Sequence, residues 1–230
     1  MNMIFMLARA NIRKAKGQTA ILAVLFLISS MMLNIGLTVM FGFGSFFSDL
    51  TTELNTSDAY FFIPEALYTD EVELYFESHR EIHTIQKNHG IVTGATYDWK
   101  GEPFYNNIAI WDMDEPRSIS QWKFIGNQLS GNPDAIYVPY LYNLVSGYEL
   151  GDTLVLTIDG KSFSFTVSGY TECVYQDRMW TGDTLFVPGQ RFEELSGELT
   201  DYRKTLVFAN GTNNYARVEA DLLELTGLSA

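Results

Sequence analysis

From Gly17 to Ser48 the chain has no Asp, Glu, Lys, Arg or His, and its few polar residues, Ser29, Ser30, Asn34 and Thr38 among them, do not gather into one helical face. A helix rises about 1.5 Å per residue, so about 20 apolar residues cross a hydrocarbon core about 30 Å thick. Thr19 to about Met40 therefore suffices for one crossing, and the pattern predicts a transmembrane helix. A cleavable signal has an apolar core of only about 7–15 residues followed by a small-residue cleavage site. The only small-x-small candidate here is Gly42-Phe43-Gly44, beyond a stretch already long enough to span. The two glycines between aromatic rings predict a kink or an end to the helix. Leu50 and Leu54 then resume helical spacing among Thr and Glu, as in a short stalk.

Beyond the stalk the periodicity changes repeatedly. Ala59–Ile63 is a short apolar run ended by Pro64, a strand signal. Asp70 to about Asn88 has helical spacing at Val72, Phe76, Ile82 and Ile85, with Thr69 or Asp70 as N-cap, Glu71 and Glu73 in the first turn, and Gly90 as the stop. Ile91–Tyr97 is β-rich. Glycine and proline punctuate residues 98–135, where Ile108–Trp111 and Trp122–Ile125 predict strands joined by loops. Ala135–Pro139 is a strand, and Tyr140–Ser146 a short helix stopped by Gly147. The clearest local pattern follows. Leu154, Leu156 and Ile158 alternate with Thr153, Val155 and Thr157, Asp159-Gly160 supplies the two positive-φ residues of a tight turn, and Phe163, Phe165 and Val167 alternate with Ser162, Ser164 and Thr166 on the return. Thr184–Val187 and Thr205–Phe208 predict strands, Arg191–Leu195 a helical turn, and Tyr215–Leu225 an amphipathic helix.

Charge orients this layout. The chain has 15 basic and 28 acidic residues; four of the basic and none of the acidic fall in the first 48, which leaves a net charge of −17 on the rest. Cytoplasmic flanks of membrane helices retain Lys and Arg, so the N-terminus is expected inside a bacterial plasma membrane and everything after about Phe47 outside it. Residues 2–17 set Ile4, Ala8, Ile12 and Ala15 on one stripe and Arg9, Arg13 and Lys16 on another, a basic amphipathic helix suited to the inner interface. The acidic remainder argues against nucleic acid as a partner. The single cysteine, Cys173, excludes an internal disulfide, and its apolar strand context predicts a buried, inert thiol.

A search for chemistry returns little. Gly160-Lys161-Ser162 resembles the end of a phosphate loop, but Val155 stands where the first glycine is needed, and the tripeptide is the return arm of a hairpin. His79 and His83 fall at i and i+4 on the predicted Asp70 helix beside Glu77 and Glu81, yet no Glu follows His79 and no metal pattern forms. Asp70, Glu71 and Glu73, and Asp112, Asp114 and Glu115, are expected as caps and solvated turns. Asn55-Thr56-Ser57 and Asn210-Gly211-Thr212 are acceptor sequons and predict exposure only. No cofactor fingerprint and no nucleophile-base set is present, so no catalytic, cofactor or metal residue is assigned.

Two stretches carry a family resemblance. Leu7-Ala8-Arg9-Ala10-Asn11-Ile12-Arg13-Lys14-Ala15-Lys16-Gly17-Gln18-Thr19, running into the apolar span, is one. The other comprises Ala135–Pro139, then Tyr148-Glu149-Leu150-Gly151-Asp152-Thr153-Leu154, then Phe165-Thr166-Val167-Ser168-Gly169-Tyr170. Together they resemble the N-terminal part of ABC transporter permeases of the FtsX/MacB type, with a MacB-like periplasmic core domain. The resemblance implies an α+β fold: one N-terminal transmembrane helix, then a two-lobed extracytoplasmic domain with a strand-helix-strand lobe and an inserted β-rich lobe. The expected divisions are 1–17, a cytoplasmic amphipathic helix; 18–47, membrane helix and stalk; and 48–230, the core domain, with lobes at about 55–97 plus 200–230 and about 98–199. It further implies a fragment of a longer permease that is not itself an enzyme and binds no cofactor. Its partners would be a separate ABC ATPase subunit, a second permease subunit and the lipid bilayer, and Arg9, Arg13 and Lys16 would form the cytoplasmic coupling contact. The rival expectation is a single-pass anchored extracellular binding or receptor protein.

Overall fold

A computed structural model of the chain describes residues 15–173, 182–211 and 215–227, apart from the Phe47 side chain. It divides into two compact units, Met1–Leu50 and Thr51–Ala230. Helix α1 runs from Lys16 to Glu53 and dominates the first. Its 38 residues give a length of about 57 Å, more than the roughly 40–45 Å of a bilayer with its headgroups. The apolar window is long enough to cross a membrane, and none of it is buried. The expected break at Phe41–Gly44 does not occur. Helix continues through Gly42 and Gly44, and no neighbouring atom lies close enough to either glycine to exploit its missing Cβ. Glycine is tolerated within apolar helices of this kind, and these two do not end α1.

The second unit is β-rich. Strands β1 (Ala59–Pro64), β2 (Thr84–Trp99), β3 (Glu102–Asp112), β4 (Trp122–Ile125), β5 (Ala135–Pro139), β6 (Thr153–Ile158), β7 (Lys161–Cys173), β8 (Asp183–Val187) and β9 (Arg203–Asn210) form one sheet. Its order is β1-β9-β2-β3-β8-β5-β7-β4, with β6 pairing to both β2 and β7. Three further helices are α2 (Asp70–Ser78), α3 (Gly189–Glu198) and α4 (Tyr215–Thr226). Residues 55–97 and 200–230 contribute β1, α2, most of β2, β9 and α4, residues 98–199 contribute β3 to β8 and α3, and β2 joins the two sets through its pairing with β3 and with β6.

The expected helix over Asp70 to about Asn88 is halved. α2 stops at Ser78, His79 is already extended, and the amide of Ile82 bonds back to the His79 carbonyl in a turn. From Thr84 the chain pairs with β9, Thr84 opposite Asn210 through Ile91 opposite Arg203. A ladder of eight pairs with a distant strand outweighs a local spacing that suited a helix. Gly90 is no helix cap. It sits within β2 opposite Trp111, and a Cβ there would collide with the indole ring. The long β2–β3 hairpin closes at Lys100 and Gly101, both at positive φ (59° and 83°). The β6–β7 hairpin is as the alternation predicts. Asp159 and Gly160 have φ of 48° and 76°, while Leu154, Leu156, Ile158, Phe163, Phe165 and Val167 are all buried. Tyr142–Ser146 forms a π-turn ended by Gly147 in the left-handed region.

Two apolar layers flank the β1-β9-β2 part of the sheet. One face carries Ile63 and Val207 under Val72 and Phe76 of α2 and Val218 and Leu222 of α4. The other gathers Trp111, Ile119, Phe186, Leu206 and Phe208. The largest cluster lies around the β6–β7 hairpin with Phe192 and Leu195 of α3. Cys173 is half-buried rather than fully buried, because it lies at the end of β7 opposite Trp122 of the short strand β4.

Candidate functional site

No Gly or Pro interrupts Ser45–Ile63. The residues just past the apolar run are then tied into the β domain by polar contacts. Asn55 takes positive φ (46°), which ends the helix, and the Thr56 amide closes on the Thr51 carbonyl at 3.0 Å. The carbonyls of Leu54 and Asn55 accept the amides of Gln121 and Ser120, both at 2.8 Å. The Asn55 side-chain amide donates to the Ser118 carbonyl at 2.7 Å. The Ser57 amide donates to Ser120 Oγ at 2.9 Å, and that hydroxyl donates to Ser57 Oγ at 2.9 Å. Ser120 is 2% exposed and held at φ 52°, a strained placement for a non-glycine residue that its surroundings must hold. Lys123 reaches Glu53 at 2.7 Å and Glu172 at 3.4 Å; the Glu53 hydrogen bond is the main reason its ammonium pKa is raised.

The loop that receives these residues is clamped from β2. Gln86 Oε1 accepts the Ser118 amide at 2.7 Å, the Ser118 hydroxyl at 2.8 Å and the Ile119 amide at 2.8 Å. Gln86 Nε2 donates to Asn88 Oδ1 at 2.9 Å and the Pro116 carbonyl at 3.0 Å. One neutral side chain on a strand thus satisfies three donors and two acceptors of its surroundings. The Arg117 guanidinium lies over the rings of Trp111, Phe186 and Phe208 at 5.0, 5.4 and 5.8 Å, within cation-π range. Beside it, Glu115 accepts the His89 amide at 3.0 Å and pairs with His89 Nδ1 at 3.1 Å. That hydrogen bond raises the imidazole pKa against the opposing effect of burial. Desolvation pushes the Glu115 carboxyl up, but the bonds from His89 and Asn88 together hold it below its ordinary value.

The constellation most like an active site is Asp183. Its Oδ2 accepts Tyr97 Oη at 2.5 Å, Tyr142 Oη at 2.9 Å and Asn106 Nδ2 at 2.9 Å. Burial is the main cause of a strong rise in both phenol pKa values, with the Asp183 charge adding to it. Tyr142, which has no exposed surface, therefore stays a neutral donor, and the cluster ties β2, β3, β8 and the π-turn together.

Of the sequence-predicted contact residues, Arg9 and Arg13 lie outside the described residues. Lys16 opens α1 and is exposed. His79 and His83 do not share a helix, and no group of three or more His, Cys, Asp or Glu suited to a metal occurs among the described residues. Asp112 and Asp114 act within a turn, Asp112 accepting the Asp114 amide at 2.8 Å and Asp114 the Gly189 amide at 2.9 Å. Sequence reasoning missed Gln86, Ser118 and Ser120. Their partners stand 32 and 63 residues away, and nothing in the local pattern marks them.

No family model matches the chain, and no curated protein matches it. Solved structures do. The extracellular domain of the noncanonic ABC-type transporter YknZ from Gram-positive bacteria is 12% identical, with 73% of this chain and 91% of that one covered and a TM-score of 0.37. The periplasmic region of MacB from Actinobacillus actinomycetemcomitans is 13% identical, with 67% and 69% covered and a TM-score of 0.34. A Bacillus anthracis structure named as a lipoprotein is 12% identical, with 72% and 90% covered and a TM-score of 0.38.

Proposed function

We propose that this chain is a membrane permease subunit of an ABC transporter, in which ATP hydrolysis by a separate ATPase subunit moves the extracytoplasmic domain in export, extrusion or mechanotransmission. The observation that carries the reading is the polar seat of Glu53–Ser57, fixed by the clamp from Gln86. A domain that only displayed a binding face could hang from its anchor by a loose tether. One that must be moved needs its first residues past the membrane segment held firmly, and hydrogen bonds from both backbone and side chains hold residues 54–57 within the domain. The basic segment with Arg9, Arg13 and Lys16 is the proposed cytoplasmic contact, with the N-terminus inside, a second permease subunit alongside, and the chain as part of a larger membrane assembly. Affinity purification of the full chain from membranes tests this. The expected result is co-purification of an ABC ATPase that Arg9→Glu with Arg13→Glu abolishes while membrane insertion is unchanged. An intact membrane protein that brings down no ATPase favours the anchored receptor.

A further inference from the structure

One arm of the β6–β7 hairpin has a side that its neighbours use only in part. β6 runs antiparallel to β7 from Thr153 opposite Thr166 to Ile158 opposite Lys161, without a bulge. β5 joins the other side of β7 only from Thr166 onward. Along an antiparallel ladder, successive residues turn their backbone groups alternately toward and away from the partner strand. The Val167 amide donates to the Asp152 carbonyl, on the β6 side, and the Thr166 amide to the Asp134 carbonyl, on the β5 side, both at 2.8 Å. The alternation therefore sends the N–H and C=O of Ser164 and Ser162 to the same side as the Thr166 amide. Among the described residues, no strand or turn receives them there.

This edge lines a groove of about 620 Å³, within the size range of ligand sites. Helix α3 contributes Arg191 and Glu198 to its wall, and Asp134 stands at the Thr166 end. The charges are matched but loosely held. Arg191 Nε lies 3.6 Å from Asp134 Oδ1, and Lys161 Nζ 3.7 Å from Glu198 Oε2, both beyond hydrogen-bond reach. Arg191 is fixed by other contacts: its Nη1 donates to Glu194 Oε2 at 2.8 Å, and its guanidinium lies 5.2 Å from the centre of the Phe165 ring. Its Nε is nevertheless buried with no hydrogen bond among the described residues. A buried N–H without an acceptor is costly, and a ligand oxygen placed beside it removes that cost. A carboxylate brought there would face Asp134, whereas a side-chain amide gives Nε a neutral acceptor and offers its own N–H groups to the Asp134 carboxylate.

We propose that the Ser162–Ser164 edge of β7 binds an extended peptide segment of a partner protein, which pairs with it as an added strand and sets a Gln or Asn side chain against Arg191 and Asp134. The site shares no residue with the polar seat of residues 53–57. The probe is the capped peptide acetyl-Thr-Gln-Thr-Gln-Thr-Gln-amide, added to the full chain in detergent. Its controls are the same peptide N-methylated at alternate amides, which cannot pair, and a version with Glu in place of Gln. At about 2 mM, with a Kd near 1 mM, the Gln peptide is expected to slow amide exchange at Ser162 and Ser164 about threefold, the Glu peptide less, and the N-methylated peptide not at all. Ser164→Pro removes a donor that points away from β6, so the hairpin is expected to keep its melting temperature while the slowing at Ser162 is lost. Equal exchange with the Gln and N-methylated peptides overturns the proposal. Slow exchange at both serines in the chain without peptide also overturns it, because the edge is then already paired, and with a second copy if the slowing grows with protein concentration.

Discussion

The β6–β7 hairpin and the polar seat of residues 53–57 hold their residues in place by opposite means. In the hairpin, strand and turn are encoded within twenty residues and stability comes from burying Leu154, Leu156, Ile158, Phe163 and Phe165. The seat buries Leu54 and is held besides by hydrogen bonds between segments far apart in the chain. Apolar burial is non-directional and tolerates small shifts, whereas hydrogen bonds weaken steeply with angle and fix a geometry. The hairpin keeps the domain folded, while the seat keeps residues 54–57 in one place within it.

The largest effect that would break this contrast is in the hairpin. Leu156→Ala removes a side chain with no exposed surface and is expected to cost about 2–5 kcal/mol of global stability, read by denaturant unfolding, with exchange at the seat changing only as the whole domain does. Gln86→Ala should do the reverse. It strands the Ser118 and Ile119 amides and is expected to cost about 1–3 kcal/mol, with exchange at Ser118–Gln121 and Thr56–Ser57 accelerated and β6–β7 unaffected. Lys123→Ala removes a largely exposed pair with Glu53 and Glu172 and should cost under about 1 kcal/mol, an effect weakened further by salt.

The smallest effect is a pH dependence. The His89 pKa is raised above its ordinary 6.5, so its contribution is fully present below 6.5 and is lost as pH rises through the raised folded value. The Glu115 pKa is lowered from 4.5, so its contribution is present above 4.5 and is lost as pH falls through the folded value. The pair therefore helps most between pH 4.5 and 6.5. Glu65 and Arg203 are the other charges that act on the imidazole. His89→Gln should flatten this maximum in a series of melting curves across pH; an unchanged profile would remove the pair from the clamp.

The same contrast explains what the sequence could tell. Leu154 to Val167 is legible because a period of two and an Asp-Gly turn are local signals, and the Ala135–Pro139 strand is legible as a short apolar run ended by proline. Ile82 and Ile85 mislead because their spacing suits a helix, while the ladder to β9 that claims Ile85 lies more than a hundred residues away. Gly90 reads as a stop signal because nothing local reveals the Trp111 ring above it. Gln86 is the extreme case: a polar residue inside the predicted helix, with no feature that marks it as the holder of a loop 32 residues on.

Hydrogen exchange at the amides of Ser57, Ser120 and Gln121 in the full, membrane-inserted chain is the most direct test of whether the helix end is fixed in the domain. We predict protection comparable to the central strands, lost on Gln86→Ala while β6–β7 keeps its own. Exchange at the rate of an unstructured peptide in the unmodified chain would mean that the domain hangs on a loose tether, and would contradict the proposed transmission of movement.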